Sequence, residues 1–152
     1  MTQVIDQRVD TIGTTLYWYT TNADNSQQVR QADLCGNVAE WSDPVEVSTP
    51  AQIDLCTLLN WQNKIYGVGV DGQLLCTTDG SNWTTASSAY TFVSILGSQL
   101  AAKYYDEHLC AIALIDGKNQ FVRSDDPRTK RDGDNYNKTR LSFRPTRLPK
   151  KH

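Results

Sequence analysis

The chain has 152 residues, of which 39% are hydrophobic, and its formal net charge is −2. This is the length of one domain, and no apolar run approaches the roughly 20 residues of a membrane span, so no transmembrane helix is predicted. The first ten residues hold no basic segment followed by an apolar one, so no secretory signal is expected. The charge is unevenly divided: residues 1–127 carry six Lys/Arg and 15 Asp/Glu, whereas residues 128–152 carry nine Lys/Arg and two Asp.

The first part of the chain predicts strands at 15–20, 29–34 and 38–42, separated by polar corners. Apolar and polar residues alternate in each of these stretches, which is typical of half-buried strands. The amphipathic periodicity of a helix is weak here and throughout the chain.

The middle part repeats this pattern more clearly. Strands are predicted at 53–59, 64–70 and 74–78, and Asp71-Gly72 separates the last two. An Asp-Gly pair between alternating runs favours a type I′ hairpin turn, which needs positive φ at both central residues.

The third part predicts strands at 92–96, 109–115 and 121–124, with Asp116-Gly117 as a second type I′ turn. The stretch 97–105 is interpreted as a loop that enters a strand. From about residue 128 the apolar content nearly disappears, so residues 128–152 are predicted to form a basic, disordered tail.

The three parts have a common period. Leu16, Ile65 and Leu109 begin equivalent strands, 49 and 44 positions apart. A period near 45 residues with about four short strands is typical of a propeller blade. The predicted fold is therefore all-β: a β-propeller-like array of about three four-stranded antiparallel blades (about 14–50, 51–90 and 91–127), incomplete in one chain.

One turn has a distinctive composition. Thr77, Asp79, Gly80 and Trp83 lie in the sequence Thr-Thr-Asp-Gly-Ser-Asn-Trp at 77–83. Asp offers a side-chain acceptor to nearby backbone N–H groups, Gly permits positive φ, and Trp folds back over the corner. These residues are predicted to be structural.

This turn resembles the Asp-box of sialidase-like β-propellers, shortened by one residue between Asp and Trp. The repeat is similar to those of uncharacterised secreted sialidase- or galactose-oxidase-like propellers of gut Bacteroidetes, over roughly residues 14–126. Since Asp-boxes lie on the outer rim of propellers, the resemblance implies a scaffold and no catalytic role for the turn.

The sequence offers no catalytic set. The glutamates are Glu40, Glu46 and Glu107, and His108 is expected in a loop without a nucleophile motif near it. Cys35, Cys56, Cys76 and Cys110 are too widely spaced for a zinc site; small buried thiols in strands are the favoured interpretation, and disulfides are the alternative. No catalytic residue, metal or other cofactor is predicted.

Aromatic residues give the best indication of function. In fungal fucose-binding propeller lectins, which this chain resembles in blade size and paired aromatics, Trp and Tyr between blades stack on sugars while Arg and Glu bind hydroxyls. By that resemblance the candidate ligand-binding residues are Trp18, Trp61, Tyr66, Trp83, Tyr104 and Arg123. Packing between blades is the alternative role for Trp18 and Tyr66.

The predicted function is a non-enzymatic, extracellular or surface binding module whose ligand is a carbohydrate. The alternatives are a structural or protein-interaction segment without a small-molecule site, and a fragment of a larger propeller enzyme. A propeller needs at least four blades, so self-association that closes a ring is a further expectation, whereas nucleic-acid binding is not expected.

Overall fold

The structure, a computed structural model, describes residues 3–36, 40–101, 106–124 and 140–146. These residues form strands and connecting turns, and among them there is no helix of the length and apolarity that crossing a membrane requires. The twelve strands are β1 (Val4–Ile12), β2 (Thr15–Asn22), β3 (Gln27–Asp33), β4 (Val45–Glu46), β5 (Ile53–Trp61), β6 (Lys64–Gly69), β7 (Leu74–Thr77), β8 (Trp83–Ser87), β9 (Thr91–Ala101), β10 (Asp106–Ile115), β11 (Lys118–Ser124) and β12 (Phe143–Pro145).

The strands form three separate four-stranded sheets, each an antiparallel meander in chain order. We call them blade 1 (β1–β4), blade 2 (β5–β8) and blade 3 (β9–β12). This confirms the predicted all-β array of three blades, and the array is open. Each sheet pairs its four strands in chain order, which is the blade arrangement of propellers.

The two Asp-Gly turns differ from each other. Asp116 and Gly117 both have positive φ, at 51° and 77°, as a type I′ turn requires. At the other turn only Gly72 has positive φ, and its N–H donates to the carbonyl of Gly69. Gly69 in turn donates its N–H to the carbonyl of Gln73, which closes a three-residue loop at 70–72. The prediction of a type I′ turn is therefore wrong at Asp71-Gly72.

Blade 1 begins earlier than its predicted boundary at residue 14. β1 is its first strand, and it pairs with β2 from Val4 to Ile12. The strand predicted at 38–42 is wrong at residues 40–42, which follow β3 as irregular backbone, while 38 and 39 lie outside the described residues. The fourth strand is instead the two-residue β4, and it pairs with β3 at Gln28 and Val29.

Blade 3 includes residues that the sequence placed elsewhere. β9 continues through residues 97–101, which were predicted to be a loop. β12 comes from the predicted tail and pairs with β11 at Val122, Arg123 and Ser124. Because Leu141 and Phe143 are buried, the tail prediction is wrong at 140–146, and the rest of 128–152 lies outside the described residues.

Blade 2 is packed on both faces. One core joins it to blade 1 through Tyr17, Tyr19, Val29, Ile53, Leu55, Leu58, Ile65, Leu75 and Trp83. The other joins it to blade 3 through Trp61, Tyr66, Val68, Leu74, Cys76, Ala86, Phe92, Leu109, Ala111, Ala113, Val122, Leu141 and Phe143. Burial of apolar faces between sheets is the main stabilising contribution to such a stack.

A buried side-chain amide strengthens the first of these contacts. Gln27 donates from Nε2 to the carbonyl of Ile53 at 2.7 Å and accepts the Ile53 N–H at 2.9 Å through Oε1. Both backbone groups of Ile53 are thereby satisfied at the point where β3 meets β5.

Candidate functional site

The 77–83 turn has the hydrogen bonds that its composition predicts. Thr77 Oγ1 accepts from the Gly80 N–H at 2.9 Å and donates to the Asn82 carbonyl at 2.8 Å. The Asp79 carboxylate accepts from the backbone N–H groups of Ser81 and Asn82, at 3.1 and 2.8 Å, and from the Asn82 amide at 2.9 Å. Although partial burial opposes the effect, these hydrogen bonds hold the pKa of Asp79 below its ordinary value.

The same turn also contacts blade 1. Tyr19 donates its hydroxyl to the Gly80 carbonyl at 2.6 Å, and its ring meets that of Trp83 edge-on at 5.9 Å between centroids. Burial raises the pKa of the Tyr19 phenol, so this hydroxyl remains a donor. Because protein groups already bond to the acceptors of this turn and the Trp83 ring contacts Tyr19, the turn serves to join blades 1 and 2.

Three predicted ligand-binding aromatics lie in the cores between blades. Trp61, Tyr66 and Trp83 are each less than 5% exposed, and Trp61 packs against Tyr66 at 5.7 Å between ring centroids. Since protein atoms cover them, they are not accessible to a sugar, and their predicted stacking role is corrected to packing. The alternation of polar and apolar residues cannot distinguish a ring in an open cleft from one in a closed core.

Trp18 lies on the face of blade 1 that points away from blade 2. The Arg30 guanidinium lies over its ring at 5.6 Å from the centroid, and Trp41 contacts it edge-on at 5.5 Å. Its Nε1 donates to Gln7 Oε1 at 3.2 Å. Protein groups thus already contact Trp18, and the neighbouring Trp41 is the ring that lines a pocket.

This pocket, called here the blade 1 pocket, has a volume of about 420 Å³. It lies between the Gly13–Thr14 turn, the end of β3 and the irregular segment after β3. Its lining residues are Thr14, Thr15, Gln31, Ala32, Asp33, Glu40, Trp41 and Ser42. Apart from Ala32, they supply one indole ring, two carboxylates, one amide and three hydroxyls.

Hydrogen bonds to the backbone fix the two sides of the blade 1 pocket. Ser42 donates its N–H to the Gln31 carbonyl at 2.8 Å, and its Oγ accepts the Gln31 N–H at 2.9 Å. These bonds hold the segment of Glu40 and Trp41 beside β3. Asp33 Oδ1 accepts the Cys35 N–H at 3.0 Å, which fixes the corner that ends β3.

The sequence interpretation missed most of this pocket. Gln31 and Asp33 lie near the end of a predicted strand, and Glu40 and Trp41 lie in a stretch wrongly predicted to be a strand. The available signal was Glu40-Trp41-Ser42 itself, since an aromatic residue between polar ones after a strand favours an exposed ring.

Arg123 does not line the blade 1 pocket. Arg123 is on β11, where it pairs with Cys110 of β10, and Tyr104 lies outside the described residues. Blade 2 separates Arg123 from Trp18, so one chain does not bring these two together.

The cysteines and His108 have ordinary structural surroundings. Cys35 and Cys56 are exposed, so the prediction of buried thiols holds fully only for Cys76, while Cys110 is half-buried. His108 is on β10 and not in a loop, with Nδ1 at 2.7 Å from the Ser124 carbonyl. In the described part of the chain, no three Cys, His, Asp or Glu residues lie close enough to bind a metal ion together.

Comparison with known families agrees with the propeller architecture. The family model described as DUF6242 beta propeller domain matches residues 1–152. The chain belongs to the DUF6242 β-propeller family. Searches of curated proteins and of solved structures found no match. Membership in the DUF6242 family therefore establishes a propeller domain.

Proposed function

We propose that the chain is a non-enzymatic binding module, extracellular or at the cell surface, that binds carbohydrate in the blade 1 pocket. The observation that carries the proposal is Trp41 beside Asp33 and Glu40 in an open pocket of about 420 Å³. Ligand pockets typically have volumes of about 300–1,000 Å³.

The chemistry of the lining suits a sugar. A pyranose has apolar C–H groups that pack on an aromatic ring, and Trp41 is the ring available for that contact. Its hydroxyls donate to carboxylates, and such charge-assisted hydrogen bonds are stronger than neutral ones. Gln31 and the Thr and Ser hydroxyls supply further donors and acceptors around the rim.

The test is titration of the chain with a panel of monosaccharides and short oligosaccharides, measured by calorimetry and followed by glycan-array screening. For a sugar that binds, Trp41→Ala is expected to weaken affinity at least about tenfold, because about 1.4 kcal/mol of lost contact corresponds to that factor. Glu40→Gln is expected to weaken binding in the same direction.

Glu46→Gln is the matched control, since Glu46 is an exposed carboxylate on β4 outside the pocket. Circular dichroism shows whether each variant is folded. No binding across the panel, or binding that Trp41→Ala leaves unchanged in a folded protein, contradicts a sugar site at this pocket.

A second candidate, a structural or protein-interaction segment without a small-molecule site, is favoured by one observation. Large apolar side chains on blade 3, among them Leu114 and Phe121, are 44% and 48% exposed. Exposed apolar groups that share one sheet face are typical of a surface that another protein covers.

A further inference from the structure

The two contacts between neighbouring blades have a common design. The side facing the next blade carries large aromatic residues, Tyr17 and Tyr19 on blade 1 and Tyr66 on blade 2. On the side facing the preceding blade, the middle residue of the second strand is small, Gly67 on blade 2 and Ala111 on blade 3, while neighbours such as Ile65 and Leu109 are large. A Cβ at Gly67 would lie only 3.0 Å from side-chain atoms of Ile53 and Leu58, which belong to β5 of the same blade and already fill the space beside this glycine.

Among the described residues, no other sheet packs on the outer face of blade 3. Leu109, Ala111 and Ala113 face blade 2, so the alternate residues of β10 point to the opposite side. That side, the blade 3 end face, consists of Cys110, Ile112 and Leu114 of β10 with Phe121 and Arg123 of β11.

Residues at equivalent positions in blade 2 are fully covered. In blade 2, Tyr66 of β6 pairs with Cys76 of β7, and Val68 pairs with Leu74. These two pairs correspond in position to the pairs Cys110–Arg123 and Ile112–Phe121 of blade 3. Val68 and Leu74 are 3% and 0% exposed, whereas Phe121 is 48% exposed. The blade 3 end face therefore continues the pattern of a blade–blade contact and lacks its covering blade.

Among the described residues, no other sheet packs on the opposite face of blade 1, where Trp41 contacts Trp18 edge-on. Since Tyr17 and Tyr19 face blade 2, the alternate residues Leu16 and Trp18 point away from it. Trp18 lies between Val9 of β1 and Arg30 of β3 in the sheet, and Val9 is 49% exposed. We call Val9, Leu16, Trp18 and Arg30 the blade 1 end face.

The sizes of the residues on the two end faces are complementary. The blade 3 end face has the small Cys110 at the position where blade 2 has Tyr66. The blade 1 end face has the large Trp18 on the side where blades 2 and 3 present Gly67 and Ala111. At this central position the order of large and small residues is thus reversed on both surfaces, as a close-packed contact between them requires.

We infer that the blade 3 end face docks on the blade 1 end face of a second copy of this chain. Two such head-to-tail contacts close a ring of six blades, within the four to eight blades of known propellers. The contact also brings Arg123 of one copy to the side of the other that carries Trp18. This inference does not depend on sugar binding, because Val9 and Phe121 lie outside the blade 1 pocket.

The test is the mass in solution by light scattering after size exclusion, over a range of protein concentrations. The expected mass is twice the chain mass of 17.1 kDa. Phe121→Lys and, separately, Leu114→Lys are expected to give monomers, because a charge on either exposed side chain is costly to bury. Val70→Lys is the control, since Val70 is 65% exposed in the β6–β7 turn.

Mixing two variants tests the head-to-tail geometry. Val9→Glu alone is expected to be monomeric, as is Phe121→Lys alone. Their mixture is expected to form heterodimers. In such a dimer one of the two contacts is unaltered, and the other places the introduced glutamate opposite the introduced lysine. A monomeric parent chain overturns the inference, and so does a Val9→Glu variant that still dimerises, since that outcome means blade 3 pairs with itself.

Discussion

At the scale of single residues, Gly80 is the position at which turn geometry and blade packing meet. Its φ is +89°, and an added Cβ would clash with the ring of Tyr17. Gly117 also has positive φ, at +77°, but no atom lies within 4 Å of where its Cβ would be. The two glycines therefore differ in packing while sharing an unusual backbone conformation.

Gly80→Ala is accordingly expected to lower the free energy of unfolding more than Gly117→Ala does. Both substitutions carry the cost of a left-handed residue, roughly 1–3 kcal/mol. Overpacking against Tyr17 adds about 1–3 kcal/mol at Gly80 alone. Urea denaturation of the two variants measures the difference, and equal losses would show that the contact with Tyr17 relaxes without cost.

The sequence predicted this turn well because its chemistry is local. The Thr77 hydroxyl and the Asp79 carboxylate bond to groups within five residues of themselves. The ring of Trp83, in contrast, contacts Tyr19 from a distant part of the chain, and periodicity alone does not say whether such a ring is covered. The pocket around Trp41 was missed for the same reason.

At the scale of elements, β12 shows where composition misleads. The segment around Phe143 is basic and contains proline, which is typical of a disordered tail. Phe143 nevertheless packs edge-on against Phe92, with 5.1 Å between ring centroids, and is only 7% exposed. Leu141 donates its N–H to the Ala86 carbonyl of blade 2. Short-strand pairing with a distant partner leaves almost no signal in local sequence.

Phe143→Ala is expected to lower the free energy of unfolding by about 3 kcal/mol, because it leaves a cavity beside Phe92. Ser142→Ala, at an exposed position in the same segment, is expected to change it by no more than about 0.5 kcal/mol. Thermal and urea denaturation provide both values. Equal, small effects of the two substitutions would mean that this segment is not part of the core.

At the scale of the whole molecule, the fold was more predictable than the site. Leu16, Ile65 and Leu109 reveal a repeat, and a repeat of about 45 residues implies blades without knowledge of any single contact. Blade 1 was delimited least well, since β1 and β4 have no turn signal as clear as Asp116-Gly117. Which faces remain uncovered, and which ring lines a pocket, depends on the order in which the blades pack.

The central claim is that the chain forms three complete blades, since the pocket and both end faces depend on it. Hydrogen–deuterium exchange with peptide-level mass spectrometry tests it most directly. We expect slow exchange in β2, β6, β10 and β11, and measurable protection in the peptide that contains Arg144 and Thr146, because Thr146 donates its N–H to the Phe121 carbonyl and Arg144 pairs with Arg123. Exchange of 140–146 at the rate of an unstructured peptide, together with rapid exchange in β11, would contradict a complete third blade.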